Sequence, residues 1–600
     1  MSGAFMADFT LSLSLQEYLF TAGILVSFIG LIIALALSRK EISRAVRESG
    51  FGKTAALMLI VALLTFMAIE IFVVHPTQQI FFDDDIYLAM AQDLLHTGQA
   101  WMCNYGTPTA CYSGGILHEP IGESFNLAIG FAVLGVSRTV AYDTGILLGA
   151  AAVIAVFFIA LLMFKDRRIA FLSSAFMALS PIVLIWTMPT TSDLPTMTYS
   201  LIAVFCMLVF MRKKTIGTFA LTTMSMALCT YMKVDAIAYV FVIPFMYVLL
   251  DGTSIANSLR DNIKLVSSSL MNTKALIVIL VFIIAIAPEI IFVQQELGGG
   301  YGYAGTIVQN TCGNSPATII PSSTMNLQNF EANVCSNVLF WFNSYASIPG
   351  YPITQPLVFT LFAVFGAASM YAVFGKRREF LAIFIWLAAF FVLYTAFYAG
   401  SVTYGVDWRF QLGLIAQVSI FSGFGAFTLL ETSKIKLGKL GSGKDRDRPG
   451  GFRKIILYCA VLIIIAGIAY SLYTELPEVG LLPSQITQAQ PARFDENFVF
   501  NESHLIPPEC LVFSYDPTLF IVNNRSSTQL DTIYDKSELA NYTSSYSCLV
   551  IDWGYWCYTP NNYCTTAKQE FKLSPIVTDT DTQVNQTFGF YLVNESSLSS

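Results

Sequence analysis

The segment 82-FDDDIYLAMAQDLLHTGQ-99 comes shortly after the apolar run 57-LMLIVALLTFMAIEIFVV-74. Read together, the two decide the fold class. The run is long enough to cross a bilayer, and the carboxylates Asp83, Asp84 and Asp85 stand where the chain leaves it. Adjacent acids repel one another, so they must be solvated, paired or used. They open a helical pattern (Ile86, Leu88, Met90, Ala91, Leu94, Leu95) that ends at Thr97–Gly98. Acids at a helix start are favoured by the helix dipole, so one of the three could simply cap. The remaining pair could ligate a divalent cation or supply a general base.

Composition supports the membrane reading. The 600 residues are 55% hydrophobic and 12% charged, against about 25% charge in soluble domains. Apolar windows of about 20 residues predict twelve spans, near 18–37, 57–75, 142–163, 169–187, 197–211, 215–230, 236–250, 275–293, 356–374, 380–398, 411–430 and 455–473. The N-terminus is acidic where a secretory signal would be basic. The Gly-rich, charge-rich linker is 437-LGKLGSGKDRDRPGGFRK-454.

Charge asymmetry orients these spans. Most of the 33 basic residues fall on alternate connections: Arg39 to Lys53, Lys165 to Arg168, Arg212 to Lys214, Arg260 to Lys274, Lys376 to Arg378, and 431–454. The positive-inside rule makes those loops cytoplasmic, which puts both termini and the acid triplet on the extracytoplasmic side. The run 120-PIGESFNLAIGFAVLGVS-137 would invert every later loop if it crossed. It is read instead as an amphipathic or re-entrant helix at the outer surface. Glycosylation sequons at Asn501, Asn524, Asn541, Asn585 and Asn594 all lie in the outward tail. Cys103, Cys111, Cys312, Cys335, Cys510, Cys548, Cys557 and Cys564 are outward as well, which suits disulfides in an oxidising compartment. Cys103/Cys111 and Cys312/Cys335 are the natural local pairs, and connectivity among the last four is open.

The resulting organisation has three parts: an extra span and basic loop (1–56), a transmembrane module (57–473) and an extracytoplasmic domain (474–600). Long outer loops at 76–141 and 294–355 interrupt the module. Short apolar runs such as 510-CLVFSY-515 and 548-CLVIDW-553 predict a small α/β or mostly β tail domain. Outside the tail, the outward cations are Arg138, Lys233 and Arg409, each near a span boundary. Such residues commonly snorkel. Lys233 and Arg409, however, each lie two residues from an acid, Asp235 and Asp407. A phosphate at the membrane surface would need cations there, and Arg can grip it with two parallel hydrogen bonds. The stretch 298-GGGYGYAGT-306 reads either as a mobile lid or as a plain flexible loop.

These residues resemble a family. Asp83–Asp84–x–x–Tyr87 opens an outer helix and is followed by 118-HEPIG-122, the basic turn 165-KDRR-168, 179-LSPIVLIWTMPTTSD-193 and Arg409–Phe410. The order looks like that of GT-C glycosyltransferases of the protein O-mannosyltransferase and lipid A aminoarabinose transferase type, which move a sugar from a polyprenyl phosphate. The resemblance implies a GT-C-like membrane fold of about twelve helices with outer juxtamembrane helices. It implies Asp83 or Asp84 as the base of an inverting displacement, with Asp85 the spare acid, and Tyr87, His118, Glu119 and Asp193 supporting the donor and acceptor. It also implies Arg409 as a contact of the lipid phosphate, joined by Lys233 and Arg138. The pattern departs from the family at Asp84 (usually Glu), at Ile121 (usually a second Pro) and at Phe410 (usually Tyr).

The expected partners are a polyprenyl-phosphate sugar (dolichyl or undecaprenyl), a protein or glycan acceptor and the bilayer, with no nucleic acid. The expected location is a plasma membrane of archaeal or bacterial type, or the endoplasmic reticulum. Metal dependence stays open: Mg2+ or Mn2+ would find Asp83, Asp84 and Glu119. One alternative is an oligosaccharyltransferase-type GT-C enzyme, whose WWDYG motif 552-DWGYW-556 resembles in the wrong order; aromatics beside Cys548 and Cys557 read more simply as core. The other is a flippase for a lipid-linked sugar, which the near absence of charge within the spans disfavours.

Overall fold

The structure is a computed structural model. It describes residues 13–74, 83–115, 120–251, 273–299, 306–309, 318–321, 331, 334–335, 338, 355–397, 407–432, 462, 466, 490–558 and 563–594. His118, Glu119, Cys312, the 437–454 linker, most of the 298–306 stretch and nearly all of the expected span 455–473 lie outside these residues.

The chain opens with two long apolar helices, α1 (Leu13–Glu48) and α2 (Lys53–Phe72). In α2 the exposed side chains Leu57, Ile60, Leu64 and Ile71 form one stripe, and the buried Ala55, Leu59, Ala62, Phe66 and Ile69 form the other. Apolar residues on the exposed face are what a lipid environment selects. After α2 come α3 (Asp83–Thr97), the hairpin β1 (Met102–Thr107) and β2 (Ala110–Gly115), and α4 (Ile121–Leu134). Then follow α5 (Arg138–Phe164), α6 (Arg167–Ala178), the short α7 (Pro181–Ile185), α8 (Asp193–Arg212), α9 (Ile216–Thr230) and α10 (Tyr239–Asp251).

Among the described residues, six helices are long and apolar enough to cross a membrane, and four shorter apolar helices accompany them. The helix α4 has 14 residues, about 21 Å of helix against a hydrocarbon core of about 30 Å. It packs on α3 and α5, consistent with a surface helix. The expected span 169–187 is broken in two, since α6 stops at Ala178 and Pro181 opens α7. The last two long helices, Arg377–Phe397 and Leu412–Thr432, complete the bundle with Leu357–Ala372. Leu357–Ala372 and Leu412–Thr432 meet at Gly366 and Gly425, where a Cβ on either glycine would strike the other helix's backbone. Small residues of this kind let membrane helices approach closely.

The two ends of the bundle differ in charge. At one end Lys213 pairs with Glu48 at 2.7 Å, Lys214 with Asp251 at 2.8 Å, and Arg168 with Asp166 and Glu431. The C-termini of α1, α8 and α10 all gather there. The N-terminus of α8 and the C-terminus of α9 meet at the opposite end.

The tail folds around strands β5 (Cys510–Ser514), β6 (Ser526–Gln529), β7 (Cys548–Trp553), β8 (Leu573–Asp581) and β9 (Gln586–Val593). Its seven-stranded sheet runs β2-β1-β6-β5-β7-β9-β8. The strands β6, β5 and β7 are parallel, and β5 is buried along its whole length, as expected of a central strand covered on both faces. The tail is therefore of the α/β type. Its sheet is extended by a hairpin from the first long loop: β1 pairs antiparallel with β6 through Tyr105↔Thr528 and Gly106↔Ser527. Disulfides join Cys103–Cys111, Cys510–Cys548 and Cys557–Cys564. Cys335 is also disulfide-bonded.

Candidate active site

Two of the three expected cations, Lys233 and Arg409, converge, although they come from distant parts of the sequence. Asp193 opens α8 and is buried, where the positive end of the helix dipole favours a carboxylate. Its Oδ1 accepts a hydrogen bond from Lys233 Nζ at 2.6 Å, and its Oδ2 lies 3.7 Å from Arg409 Nε. Lys233 sits in the turn between α9 and the 3-10 helix Val234–Ala238, with Asp235 Oδ2 3.9 Å away. The same Asp235 oxygen accepts from Tyr394 Oη at 2.7 Å. The buried Phe410 ring floors the cluster, with Lys233 Nζ 4.2 Å and the Arg409 guanidinium 5.2 Å from its centre. The Arg–aromatic pair read from the sequence is thus also a Lys–aromatic pair.

This cluster is balanced, with Lys233 and Arg409 facing Asp193 and Asp235. The side chains of Lys233 and Arg409 retain 19% and 11% of their exposure, so both are partly shielded from water. Ammonium and guanidinium carry three and five N–H donors respectively. Together they can hold a phosphate oxygen array while the carboxylates fix their positions.

The acid triplet is divided among different neighbours, since successive residues on a helix point about 100° apart. Asp83 is the first residue of α3. Asp84 is fully buried; its main-chain oxygen accepts from Thr190 Oγ1 at 3.0 Å. That bond ties the start of α3 to the segment leading into Asp193. The Asp84 carboxylate acts electrostatically on Glu123, Tyr142 and Glu496. Asp85, expected to be a spare, is fully buried and hydrogen-bonds Asp516 of the tail domain. Tyr87 is buried between α3 and α4, where its main-chain oxygen accepts from Ser124.

Arg138 differs from the expectation that it would join the phosphate cations. Its guanidinium donates to Asn497 at 3.3 Å and lies 4.3 Å from the Phe500 ring centre, both on the tail helix Gln490–Glu502. It docks that helix against α5, and Tyr142 lies within 5.4 Å.

A second cluster was not read from the sequence. Asp85, Asp495, Glu496, Asp516 and Asp552 line one cleft, together with Ser514, Tyr515, Leu519, Gly554, Tyr555 and Trp556. The string 552–556 does both: Trp553 and Tyr555 pack against the tail's hydrophobic core, as expected, while Asp552, Gly554, Tyr555 and Trp556 also line the cleft. Burial pushes Asp495 up to about 7. Burial also raises Asp552, with Asp495 adding to it, and raises Glu496, with Asp84 adding to it and Arg138 opposing. Asp516 is raised by burial and drawn back by hydrogen bonds from Thr518 and Asp85. The available signal was an acid at the end of each apolar strand, two residues past β5 in 510-CLVFSYD-516 and in the next-to-last place of β7 in 548-CLVID-552. Among the described residues, no group of three or more acids, His or Cys stands ready to hold a metal ion. Asn501, Asn524, Asn541 and Asn585 are exposed on the tail, as glycosylation sites would be.

Comparison with known proteins places residues 118–292 in the family model of dolichyl-phosphate-mannose-protein mannosyltransferase. That segment carries Asp193 and Lys233 but neither α3 nor Arg409. Among curated proteins none matches the chain in sequence. Among solved structures, ArnT from Cupriavidus metallidurans bound to undecaprenyl phosphate superposes with a TM-score of 0.52 at 14% identity, over 90% of this chain and 98% of that one. The archaeal oligosaccharyltransferase AglB from Archaeoglobus fulgidus, in complex with an inhibitory peptide and a dolichol-phosphate, gives a TM-score of 0.49 at 12% identity, over 91% and 74%. The fold is GT-C-like, a multi-pass helical membrane module with a small α/β domain.

Proposed function

We propose that this chain is a membrane glycosyltransferase that moves a sugar from a polyprenyl phosphate to an acceptor at the extracytoplasmic face. The observation that carries the reading is the convergence of Lys233 and Arg409 on buried Asp193, next to the Thr190 bond that holds the start of α3. The family match over 118–292 and the fold shared with a protein bound to undecaprenyl phosphate support it. The gathering of basic side chains at the far end of the bundle supports the orientation, with both termini outside.

In this reading an acceptor hydroxyl attacks the anomeric carbon from the face opposite the phosphate. The new C–O bond forms as the bond to the lipid phosphate breaks, and the electron pair leaves on the phosphate oxygen. Configuration inverts. Lys233 and Arg409 stabilise the charge that develops there, and Asp193 and Asp235 keep both cations in place. The acceptor's proton passes to a carboxylate at the start of α3. Asp84 is enclosed and Asp85 is engaged with the tail, so Asp83 is the residue assigned as base. His118, Glu119 and Tyr87 are proposed as supports of the site, Tyr87 by packing α3 on α4. The acceptor is a protein or a glycan.

The test offers purified full-length protein a panel of dolichyl- and undecaprenyl-phosphate sugars and measures release of the lipid phosphate. Turnover of a donor that disappears in Asp83→Asn supports the assignment. Movement of a donor across vesicles without turnover of any would instead establish the flippase reading.

A further inference from the structure

The spans are almost free of charge, yet Glu70 stands in the last turn of α2 and is 2% exposed. An ionisable side chain within a membrane helix is expensive, and it is kept where it serves a function. The partner of Glu70 is Thr187, which shares its hydroxyl hydrogen between Glu70 Oε2 and the Leu184 main-chain oxygen, each 2.8 Å away. Glu70 Oε1 is buried without a hydrogen-bond partner. The side chain thus holds Thr187 at the cost of one stranded oxygen.

Thr187 belongs to a buried, irregular stretch of chain, 186–192, between α7 and α8. Irregular backbone at membrane depth is tolerated only where the protein itself holds it. Here the main chain of Thr187 presses on Gly145 of α5 and its methyl group faces Gly149, so that a Cβ at either glycine would strike it. Phe66, one turn before Glu70 on α2, closes the same notch against Gly149. Three residues beyond Thr187, Thr190 Oγ1 donates to the Asp84 main-chain oxygen at 3.0 Å. Three residues further, Asp193 opens α8 and receives Lys233 and Arg409. The stretch is therefore a strap. It is gripped by Glu70 at its start, tied in its middle to the helix that carries Asp83, and ends at the acid that seats both cations.

We propose that Glu70 is a positioning residue for the transfer reaction: by gripping Thr187 it fixes the strap, and the strap sets the first turn of α3 relative to the cations held on Asp193. The proposal rests on the glycosyltransferase reading, since it takes Asp83 as the base and Lys233 with Arg409 as the phosphate contacts. Glu70 acts through Thr187, Thr190 and Asp193. The placement of base against leaving group matters chiefly in the transition state, so it governs kcat more than KM. A misplacement of about 1 Å arising far from the chemistry costs on the order of 10²-fold in rate. Glutamine at position 70 carries both a donor and an acceptor and keeps the grip, whereas leucine removes it.

The experiment uses purified full-length protein in detergent and reads two quantities, release of lipid phosphate and main-chain hydrogen exchange. Glu70→Leu should lower kcat about 10- to 100-fold while the donor KM stays within about threefold of the wild type's. Thr187→Val keeps the shape of the side chain and should do the same, which gives a second reading if the leucine disturbs folding. The double variant should fall no further than the worse single one, because both remove one shared bond. Glu70→Gln should stay within about threefold of the wild type in kcat, since its amide restores the bond. In Glu70→Leu, amides of 186–193 and of the first turn of α3 should exchange faster than in the wild type. Wild-type kcat in folded Glu70→Leu would overturn the proposal. So would an equal loss in Glu70→Gln, which would mean that the charge and not the grip is at work, or unchanged exchange in α3. A wild type that turns over no donor would overturn the glycosyltransferase reading instead, and the exchange measurement would still decide whether Glu70 holds the strap.

Discussion

Successive residues in the first turn of α3 are tied to two clusters of buried charge built on opposite principles. Through its main chain, Asp84 is bonded to Thr190 and so to the cluster of Lys233, Arg409, Asp193 and Asp235, where cations and carboxylates match. Through its side chain, Asp85 is bonded to Asp516 and so to a cleft whose wall is carboxylates. The first cluster holds its charges by mutual pairing and can lend its cations to a phosphate as a lipid-linked substrate arrives. The second gathers carboxylates on which burial and one another's fields favour the protonated form. Carboxylates in two neighbouring places therefore do different work: in one they position cations, in the other burial turns them toward holding protons.

The comparison can be broken most forcefully at its shared helix. Asp83→Asn should lower turnover about 10²- to 10⁴-fold, the usual contribution of a general base, with the unfolding temperature little changed. A loss of donor binding without a loss of turnover would move the base elsewhere. Asp193→Asn should destabilise the protein by about 3–5 kcal/mol, because it leaves Lys233 and Arg409 facing a neutral partner in a buried setting; chemical denaturation measures this. Asp552→Asn should act in the opposite direction. Its unfolding temperature should gain most on the wild type's at high pH, because an amide carries no charge for burial and Asp495 to disfavour. If both substitutions destabilised alike near pH 8, the contrast between the clusters would fail. The smallest effect is expected for Thr190→Val, about 1 kcal/mol for one lost hydrogen bond, accompanied by reduced turnover if the bond positions Asp83.

Much of the membrane module could be read from local pattern, because spans, basic turns and boundary cations are local features. The stretch 120–137 was set apart from the spans by the charge of the loops that follow it, and α4 there has 14 residues. The sequence set Lys233 beside Asp235, its local neighbour, whereas its close partner is Asp193, forty residues earlier. What escaped depends on contacts between distant segments. Arg138 is a boundary cation like Lys233 but has no acid two residues away, and its partners Asn497 and Phe500 belong to the tail. Asp85 looked like the spare acid because Asp516 lies more than four hundred residues further on. The pairing of β1 with β6 joins the first loop to the tail sheet, across a boundary that composition drew at residue 474. The acidic cleft was invisible for the same reason: Asp85 opens α3, Asp495 and Glu496 sit in the helix Gln490–Glu502, and Asp516 and Asp552 come from the ends of β5 and β7, so only the tertiary fold brings them together.

Release of polyprenyl phosphate from a sugar-loaded donor by the purified chain tests the central claim most directly, run side by side with Asp83→Asn and Arg409→Ala. The account expects release by the wild type, near-complete loss in Asp83→Asn, and in Arg409→Ala a loss that persists at saturating donor, since the guanidinium acts on charge that develops as the bond breaks. Release by none of the three from any donor, or undiminished release by Asp83→Asn, would contradict it.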